Sequence, residues 1–270
     1  MVRVRATIAY DGTEYCGWQV QPNGISVQEV VNAGLSKLLG EEITCVGASR
    51  TDAGVHSMGN EILFETKTRI PADKIAYALN QYLPEDIVCQ GSSLAADDFH
   101  PRFSESYKTY EYRILNRRFP MPTMRRDSLF YHYDLDEKRM QEAADCLLGE
   151  HDFSSFASIH TQSKTRVRTI YQALVSRNAD DLITIRLCGD GFLYNMVRII
   201  AGTLIEVGAG ITSPRAFQQI LDGMNRELAG PTAPAHGLTQ VGLHYLTPEE
   251  IACRKAGGKW PFLIDSERPL

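Results

Sequence analysis

We read a mixed α/β fold of the α+β kind from this sequence, made of one structural pattern written twice. Two observations predict it. The segments run β-α-β-β-α-β and then repeat that order, and the helical segments carry apolar stripes closed by capping and stop residues. The 270 residues allow one large domain or two ordinary ones, and 43% hydrophobic content is enough for a real core.

The elements follow in order. Val2, Val4, Ala6 and Ile8 alternate with polar residues, so residues 3–9 read as a strand. Ser26 with Glu29 three residues on is a capping box. Val27, Val30, Val31, Leu35, Leu38 and Leu39 then recur at helical spacing until Gly40 stops them. Residues 43–48 and 60–65 read as strands. Pro71 opens a helix whose apolar side is Ile75, Ala76, Leu79 and Leu83, with Pro84 after it. Residues 86–93 complete the first pattern.

The second pattern has a strand at 108–116, a helix at 136–148, and strands at 168–177 and 182–188 joined by Asn178-Ala179-Asp180-Asp181. A strongly apolar helix at 195–207, a helix at 213–222 begun by Ser213-Pro214, and a strand at 239–245 follow. Two such units suggest ferredoxin-like or RRM-like halves forming one extended, mainly antiparallel sheet with helices on one face. The expected boundaries are 1–104 for the N-terminal half, 105–246 for the C-terminal half, and 247–270 for a tail.

Charge and composition narrow the partner. Net charge is −5, yet residues 101–126 carry seven Lys and Arg against two Glu, a local excess of +5. A basic segment on an acidic protein suits a shaped RNA site, and equally a solvated loop. The six cysteines form no CxxC pair and there is no HExxH, so reduced thiols and no metal site are expected. No apolar run approaches the roughly 20 residues of a membrane span, and the N-terminus turns at once into a strand pattern. A cytoplasmic protein is expected.

One asymmetry between the halves points to chemistry. In the second pattern the inner strands are joined by a short turn; in the first they are separated by residues 49–59, inside a loop region of 47–59. That region reads Gly47-Ala48-Ser49-Arg50-Thr51-Asp52-Ala53-Gly54-Val55-His56-Ser57. Asp52 is an acid among small residues, with Arg50 near enough to bind phosphate or hold it ionised. On spacing alone, a turn in which Asp52 caps its own backbone is the plainer reading.

Four blocks in order then resemble the tRNA pseudouridine synthase A family. The loop is similar to its catalytic motif. Tyr10-Asp11-Gly12-Thr13 through Gly17-Trp18-Gln19 resembles its N-terminal motif. Phe99-His100-Pro101-Arg102-Phe103-Ser104 followed by Lys108-Thr109-Tyr110-Glu111-Tyr112 resembles the block of its active-site tyrosine. Asn195-Met196-Val197-Arg198 through Gly202 resembles the helix of its active-site arginine. A weaker match, Ala233-Pro234-Ala235-His236-Gly237-Leu238, covers its apolar pocket residue. Three positions depart from the pattern: Ser49 replaces a usual glycine, Asn60 a common glutamine, and Glu111 a common basic residue.

The resemblance implies a cofactor-free isomerase that turns uridine into pseudouridine in the anticodon stem-loop of tRNA, near positions 38 to 40. It implies a homodimer. Asp52 becomes the catalytic carboxylate, as nucleophile at C1′ or base at C2′. Tyr110 would stack on the base and serve proton transfer, and Arg198 would pair with Asp52 in a buried site. Arg50, Thr51, His56, Leu238, Arg102 and Lys108 are the candidate substrate contacts. Arg3, Arg5, Arg117, Arg118, Lys164, Arg166 and Arg168 are further phosphate candidates. Tyr110, Tyr112 and Lys108 share a strand face that is alternatively a stacking surface. His56 and Trp18 are candidates for filling the gap left by a flipped base. The rivals are a non-catalytic RNA-binding protein of RRM-like halves, which needs no acid in the loop, and a glycoside hydrolase, for which Asp52 lacks an evident second carboxylate.

Overall fold

The computed structural model describes residues 1–159, 161 and 163–255. Among them are ten strands and six α-helices, and the mixed α/β class with a large, mostly antiparallel sheet is as expected. The first pattern appears as β1 (Val2–Tyr10), α1 (Val27–Leu39), β2 (Val46–Gly47), β3 (His56–Thr66), α2 (Ala72–Leu79) and β4 (Ile87–Leu94). The second contains β5 (Ser106–Asn116), β6 (Leu129–Tyr131), α3 (Glu137–Ala144), β7 (Gly149–Asp152), β8 (Val167–Arg177), β9 (Leu182–Gly189), α4 (Met196–Gly208), α5 (Pro214–Asp222) and β10 (Leu238–Tyr245). Helix α6 (Pro248–Lys255) follows, and the rest of the expected 247–270 tail lies outside the described residues.

Strand order is β4-β1-β3-β10-β5-β9-β8-β7, with β2 on β3 and β6 on β5. The first pattern thus has its strands in the order fourth, first, third, second, all antiparallel. The second repeats that order as β10-β5-β9-β8. This is the ferredoxin-like order expected of a β-α-β-β-α-β unit. Strand β10 runs parallel to β3, pairing Thr239 with His56 and Gln240 with Ser57.

The chain forms two compact units, each discontinuous in sequence. One comprises Met1–Phe103, Tyr110–Tyr133 and Ala233–Leu243; the other comprises Ser104–Thr109, Asp134–Thr232 and the residues from His244 on. In the first, Val4, Ala6 and Ile8 of β1 and Ile62 and Phe64 of β3 meet Val27, Val31 and Leu35 of α1 and Ile75 and Leu79 of α2. Burying each large apolar side chain contributes roughly 1.5–3 kcal/mol. In the second, Gly208 at the end of α4 lies against Met140 of α3, where a Cβ would come within 2.8 Å of the sulfur. The Phe156 and Phe217 rings stack at 5.3 Å in the same core.

Local signals explain α1. The Ser26 hydroxyl accepts from the Glu29 N–H at 3.2 Å, and the Glu29 carboxylate accepts from the Ser26 N–H at 3.5 Å. Gly40 ends the helix with φ 68°, a conformation open to glycine without strain.

The expected strand at 43–48 is instead only two residues long. Polar side chains of α1 take its backbone groups: Ser36 Oγ accepts from Ile43 N–H, Asn32 Oδ1 accepts from Cys45 N–H, and Gln28 Nε2 donates to Cys45 C=O. Those groups are satisfied without a sheet ladder. Strand β3 starts at His56, four residues earlier than expected, which shortens the loop at its end. Helix α2 stops at Leu79, because the Asn80 side chain turns to bond both the N–H and C=O of Cys89. Cys45 and Cys89 are buried free thiols, and burial pushes them up to about 12 and about 11. No described helix is long and apolar enough to cross a membrane.

Candidate active site

Asp52 lies half-buried on the segment between β2 and β3. Its own C=O accepts from Val55 N–H at 3.1 Å, closing a tight turn. Residues 12–18 press on the outside of that turn. Trp18 N–H donates to Thr51 C=O at 3.1 Å, and Gly54 N–H donates to Tyr15 C=O at 3.2 Å. A Cβ on Gly12 would sit 2.0 Å from the Val55 oxygen, and one on Gly17 would sit 2.7 Å from the Thr51 oxygen. Gly17 also holds φ 103°. At these two glycines, backbone meets backbone in space that no side chain fits.

Behind the turn is a layer of buried polar side chains that sequence reading did not anticipate. The Tyr10 hydroxyl and Thr51 Oγ1 share a hydrogen bond of 2.8 Å. Asn60, fully buried, grips the backbone of Ser49 from both sides: its Oδ1 accepts from Ser49 N–H at 3.0 Å and its Nδ2 donates to Ser49 C=O at 3.1 Å. The Ser57 hydroxyl donates to Gln240 Oε1 at 3.5 Å. A usable signal was present in part. Tyr10 sits at the end of the buried stripe of β1, opposite Ser57 in register, and Asn60 sits opposite Ile8.

Tyr110 of β5 is only 8% exposed. Burial pushes its hydroxyl well above the ordinary phenol range, the neighbouring Ser49 hydroxyl acts in the opposite sense, and the Asp52 charge pushes it further up. Asp52, Ser49 and Tyr110 are therefore neighbours. Tyr112 is fully buried, and its hydroxyl donates to Pro234 C=O at 2.9 Å. Since Tyr110 and Tyr112 are both buried, this face of β5 is no open stacking platform. Leu238 is buried at the start of β10.

His56 is buried at the first position of β3. Its Nδ1 lies 3.1 Å from both Gly12 N and Asp11 Oδ1, and its Nε2 lies 3.2 Å from the His236 oxygen. A neutral ring accepts from Gly12 and donates to His236; a protonated ring turns a proton toward Asp11. Burial, and then the charge of His56, lowers His236 below the usual imidazole range. Trp18 is 2% exposed and lies on Gly47, where a Cβ would come 2.4 Å from its Nε1. It is part of the core, which removes it as a filler for RNA.

The charged candidates separate by engagement. Arg50 and Arg102 are exposed and close together; burial and then the Arg102 charge hold Arg50 below its ordinary range. Arg5 binds Glu61 at 3.1 Å and lies over the Phe99 ring, while Arg3 donates to the C=O groups of Ala96, Asp97 and Phe99. Arg113 pairs with Asp127 at 2.6 Å, and Arg126 reaches Asp11 and Glu14. Arg118 is exposed over the Phe119 ring. In the second unit, Arg168 donates to Thr165 C=O, Val167 C=O and Ser163 Oγ. Lys108 is half-buried there. Arg198 is half-buried in the first turn of α4, with Nη1 donating to Asn195 Oδ1 at 2.9 Å.

The model of the tRNA pseudouridine synthase family matches residues 6–104 and 143–245. The chain belongs to this family. It is 46% identical over 245 residues to a tRNA pseudouridine synthase A of Ruminiclostridium cellulolyticum, covering 91% of this chain and all of that one. The Brevibacillus brevis protein of the same name is 45% identical over 246 residues, covering 91% of this chain and all of its own. That of Bacillus subtilis is 42% identical over 246 residues, covering 90% and 99%. The family expected from the four motif blocks is thus the family found, and with it an enzyme rather than a binding module.

Proposed function

We propose that this chain isomerises uridine to pseudouridine in tRNA, in the anticodon stem-loop near positions 38 to 40, with Asp52 as its essential carboxylate. The reaction breaks the bond between C1′ and N1 of a uridine and remakes it between C1′ and C5. The proton on C5 is then lost, and N1 gains one. Nothing is added to the RNA, so the chemistry asks for acid–base or nucleophilic groups and not for a cofactor.

The observation that carries this reading is Asp52 beside Tyr110 on a turn braced by backbone contacts, in a chain of this family. A braced carboxylate supplies the positional accuracy that such a step needs. Asp52 acts at the ribose, as nucleophile at C1′ or base at C2′. Tyr110 contacts the base and moves a proton, Leu238 presses on the base, and Arg198 pairs with Asp52 and keeps it ionised. Thr51 and His56 hold the loop that receives the nucleotide. Arg50 and Arg102 repel one another as neighbours, and a phosphate between them relieves that repulsion. Arg117, Arg118 and Lys108 extend the contact with RNA.

The protein works in the cytoplasm as a homodimer around one tRNA. The test is incubation with an unmodified tRNA transcript followed by mapping of pseudouridine. Product at positions 38 to 40, lost with Asp52→Asn, supports the proposal. Modification elsewhere overturns the site assignment, and absence of any product overturns the activity.

A further inference from the structure

Three stretches far apart in sequence meet at the ring of His56. Gly12 N lies 3.1 Å from Nδ1, Asp11 Oδ1 lies 3.1 Å from the same nitrogen, and the His236 carbonyl oxygen lies 3.2 Å from Nε2. The residue is buried and follows Val55, whose N–H closes the turn on Asp52 C=O. Gly12 touches that turn as well. Its backbone packs so closely on Val55 that a Cβ would sit 2.0 Å from the carbonyl oxygen. On the other side, a Cβ on Gly54 would come 3.2 Å from the methyl of Ala235, the residue before His236. The ring thus ties the Asp52 turn to both of the segments packed against it.

The two contacts at Nδ1 are in conflict. Nε2 faces a carbonyl, so it carries the proton of a neutral ring, and Nδ1 is then a lone pair. A lone pair accepts from Gly12 N–H but repels the Asp11 carboxylate. Adding a proton reverses both: Nδ1–H donates to Asp11 and confronts Gly12 N–H, donor against donor. Only one of the two 3.1 Å contacts is a hydrogen bond at a time. Other charged groups stand behind these partners. Asp11 Oδ1 also accepts from Thr13 N–H at 3.0 Å, and Oδ2 lies 3.8 Å from Arg126, which reaches Glu14 at 3.5 Å. Beyond the other side of the ring, His236 faces Asp127, which pairs with Arg113 at 2.6 Å. His236 meets the ring through its backbone oxygen, so its own side-chain charge neither makes nor breaks that contact.

We propose that neutral His56 is a positioning residue for the Asp52 turn, and that its protonation slackens the turn by exchanging Gly12 for Asp11. The inference rests on the proposed role of Asp52 and deepens the one given to His56. The imidazole acts through the turn, by keeping Gly12 seated on Val55, and not on the ribose or the base. Imidazole is the side chain that ordinarily changes charge between pH 5 and 8. The exchange therefore places a loss of rate on the acid side of neutrality, with tRNA affinity little changed.

The experiment follows single-turnover pseudouridine formation by the full-length protein at saturating unmodified tRNA transcript, from pH 8 down to pH 5. Affinity and thermal unfolding are measured alongside. Wild type is expected to slow about tenfold across this range, the scale of one well-placed hydrogen bond. His56→Asn puts an uncharged acceptor near the place of Nδ1 and gives up the His236 contact. It should run at about a tenth of the wild-type rate at pH 8 and stay level down to pH 5. Asp11→Asn removes the charge that favours the protonated ring, so the fall should move about one unit to lower pH while the rate at pH 8 holds. His236→Gln keeps the backbone oxygen and should keep the wild-type profile. A level wild-type profile overturns the proposal. So does a fall retained by His56→Asn, left in place by Asp11→Asn, or abolished by His236→Gln. A His56→Asn variant that loses stability but keeps the wild-type rate at pH 8 also overturns it, because the residue then serves only the fold. A wild-type protein that forms no pseudouridine at any pH instead overturns the activity on which the inference rests.

Discussion

Replacing Gly12 by alanine tests whether the turn around Asp52 is held by its neighbours. The added Cβ would lie 2.0 Å from the Val55 oxygen and 2.6 Å from its carbonyl carbon. Ordinary contact begins at 3.4 Å, so the two backbones must part by about 1.4 Å. Neither atom is the end of a flexible side chain, so the movement falls on the turn itself. Val55 N–H is the donor that closes the turn on Asp52 C=O, and a shift there carries Asp52 with it. A displacement near 1 Å at a reacting group costs about 100-fold in rate. Overpacking of this kind also destabilises by about 1–3 kcal/mol. Gly40→Ala is the control: φ is 68° but nothing lies within 4 Å, so it should cost about 1 kcal/mol of stability and leave the rate alone. The assay is single-turnover pseudouridine formation alongside thermal unfolding. If Gly12→Ala and Gly40→Ala lose similar stability and both keep the wild-type rate, the turn is not positioned by residues 12–18.

Three further outcomes are expected. Asp52→Asn keeps the side-chain volume but removes nucleophile and base, so turnover should fall by about 10³-fold or more while tRNA affinity holds; a variant keeping a tenth of its turnover would falsify the role. Arg117→Ala with Arg118→Ala should weaken tRNA binding and flatten the plot of log affinity against log salt by about 0.7 per lost phosphate contact, with turnover at saturating tRNA preserved; an unchanged slope makes this pair a solvated loop. Asp11 is raised by burial but lowered more strongly by the Thr13 hydroxyl and N–H, then by His56 and Arg126, to a net value below its usual 3.8. It therefore adds stability above pH 3.8 that disappears as pH falls through the lowered value, and Asp11→Asn should flatten acid unfolding in that window; an identical pH profile shows that the carboxylate contributes nothing there.

Much of the fold was legible because local signals and tertiary demands agree. The Ser26–Glu29 cap and the Gly40 stop bracket α1 to the residue, and alternation finds β1, β5, β8 and β9 within two residues. What escaped was settled at long range. Residues 43–45 have strand composition, but Ser36, Asn32 and Gln28 of α1 satisfy their backbone, which no periodicity reveals. His56 and Ser57 read as loop because they are polar, yet they are buried in β3 by partners far away in sequence. The positions of Asp52 and Tyr110 came from motif resemblance; their proximity came only from folding. Trp18 was misjudged for a related reason: an aromatic beside a motif suggests contact with a ligand, whereas Gly47 supplies the flat surface that buries it.

That burial equips the protein with an optical reporter. The chain has two tryptophans, Trp18 and Trp260. The first has its indole packed on Gly47, and its backbone N–H is bonded to Thr51, the residue before Asp52. A Trp260→Phe variant would emit from Trp18 alone. Its emission maximum should be blue-shifted, as befits an indole shielded from water, and its intensity should respond to rearrangement of the turn. Stopped-flow mixing with tRNA would then time the turn's response without an attached dye, separating engagement of the RNA from the chemical step that follows.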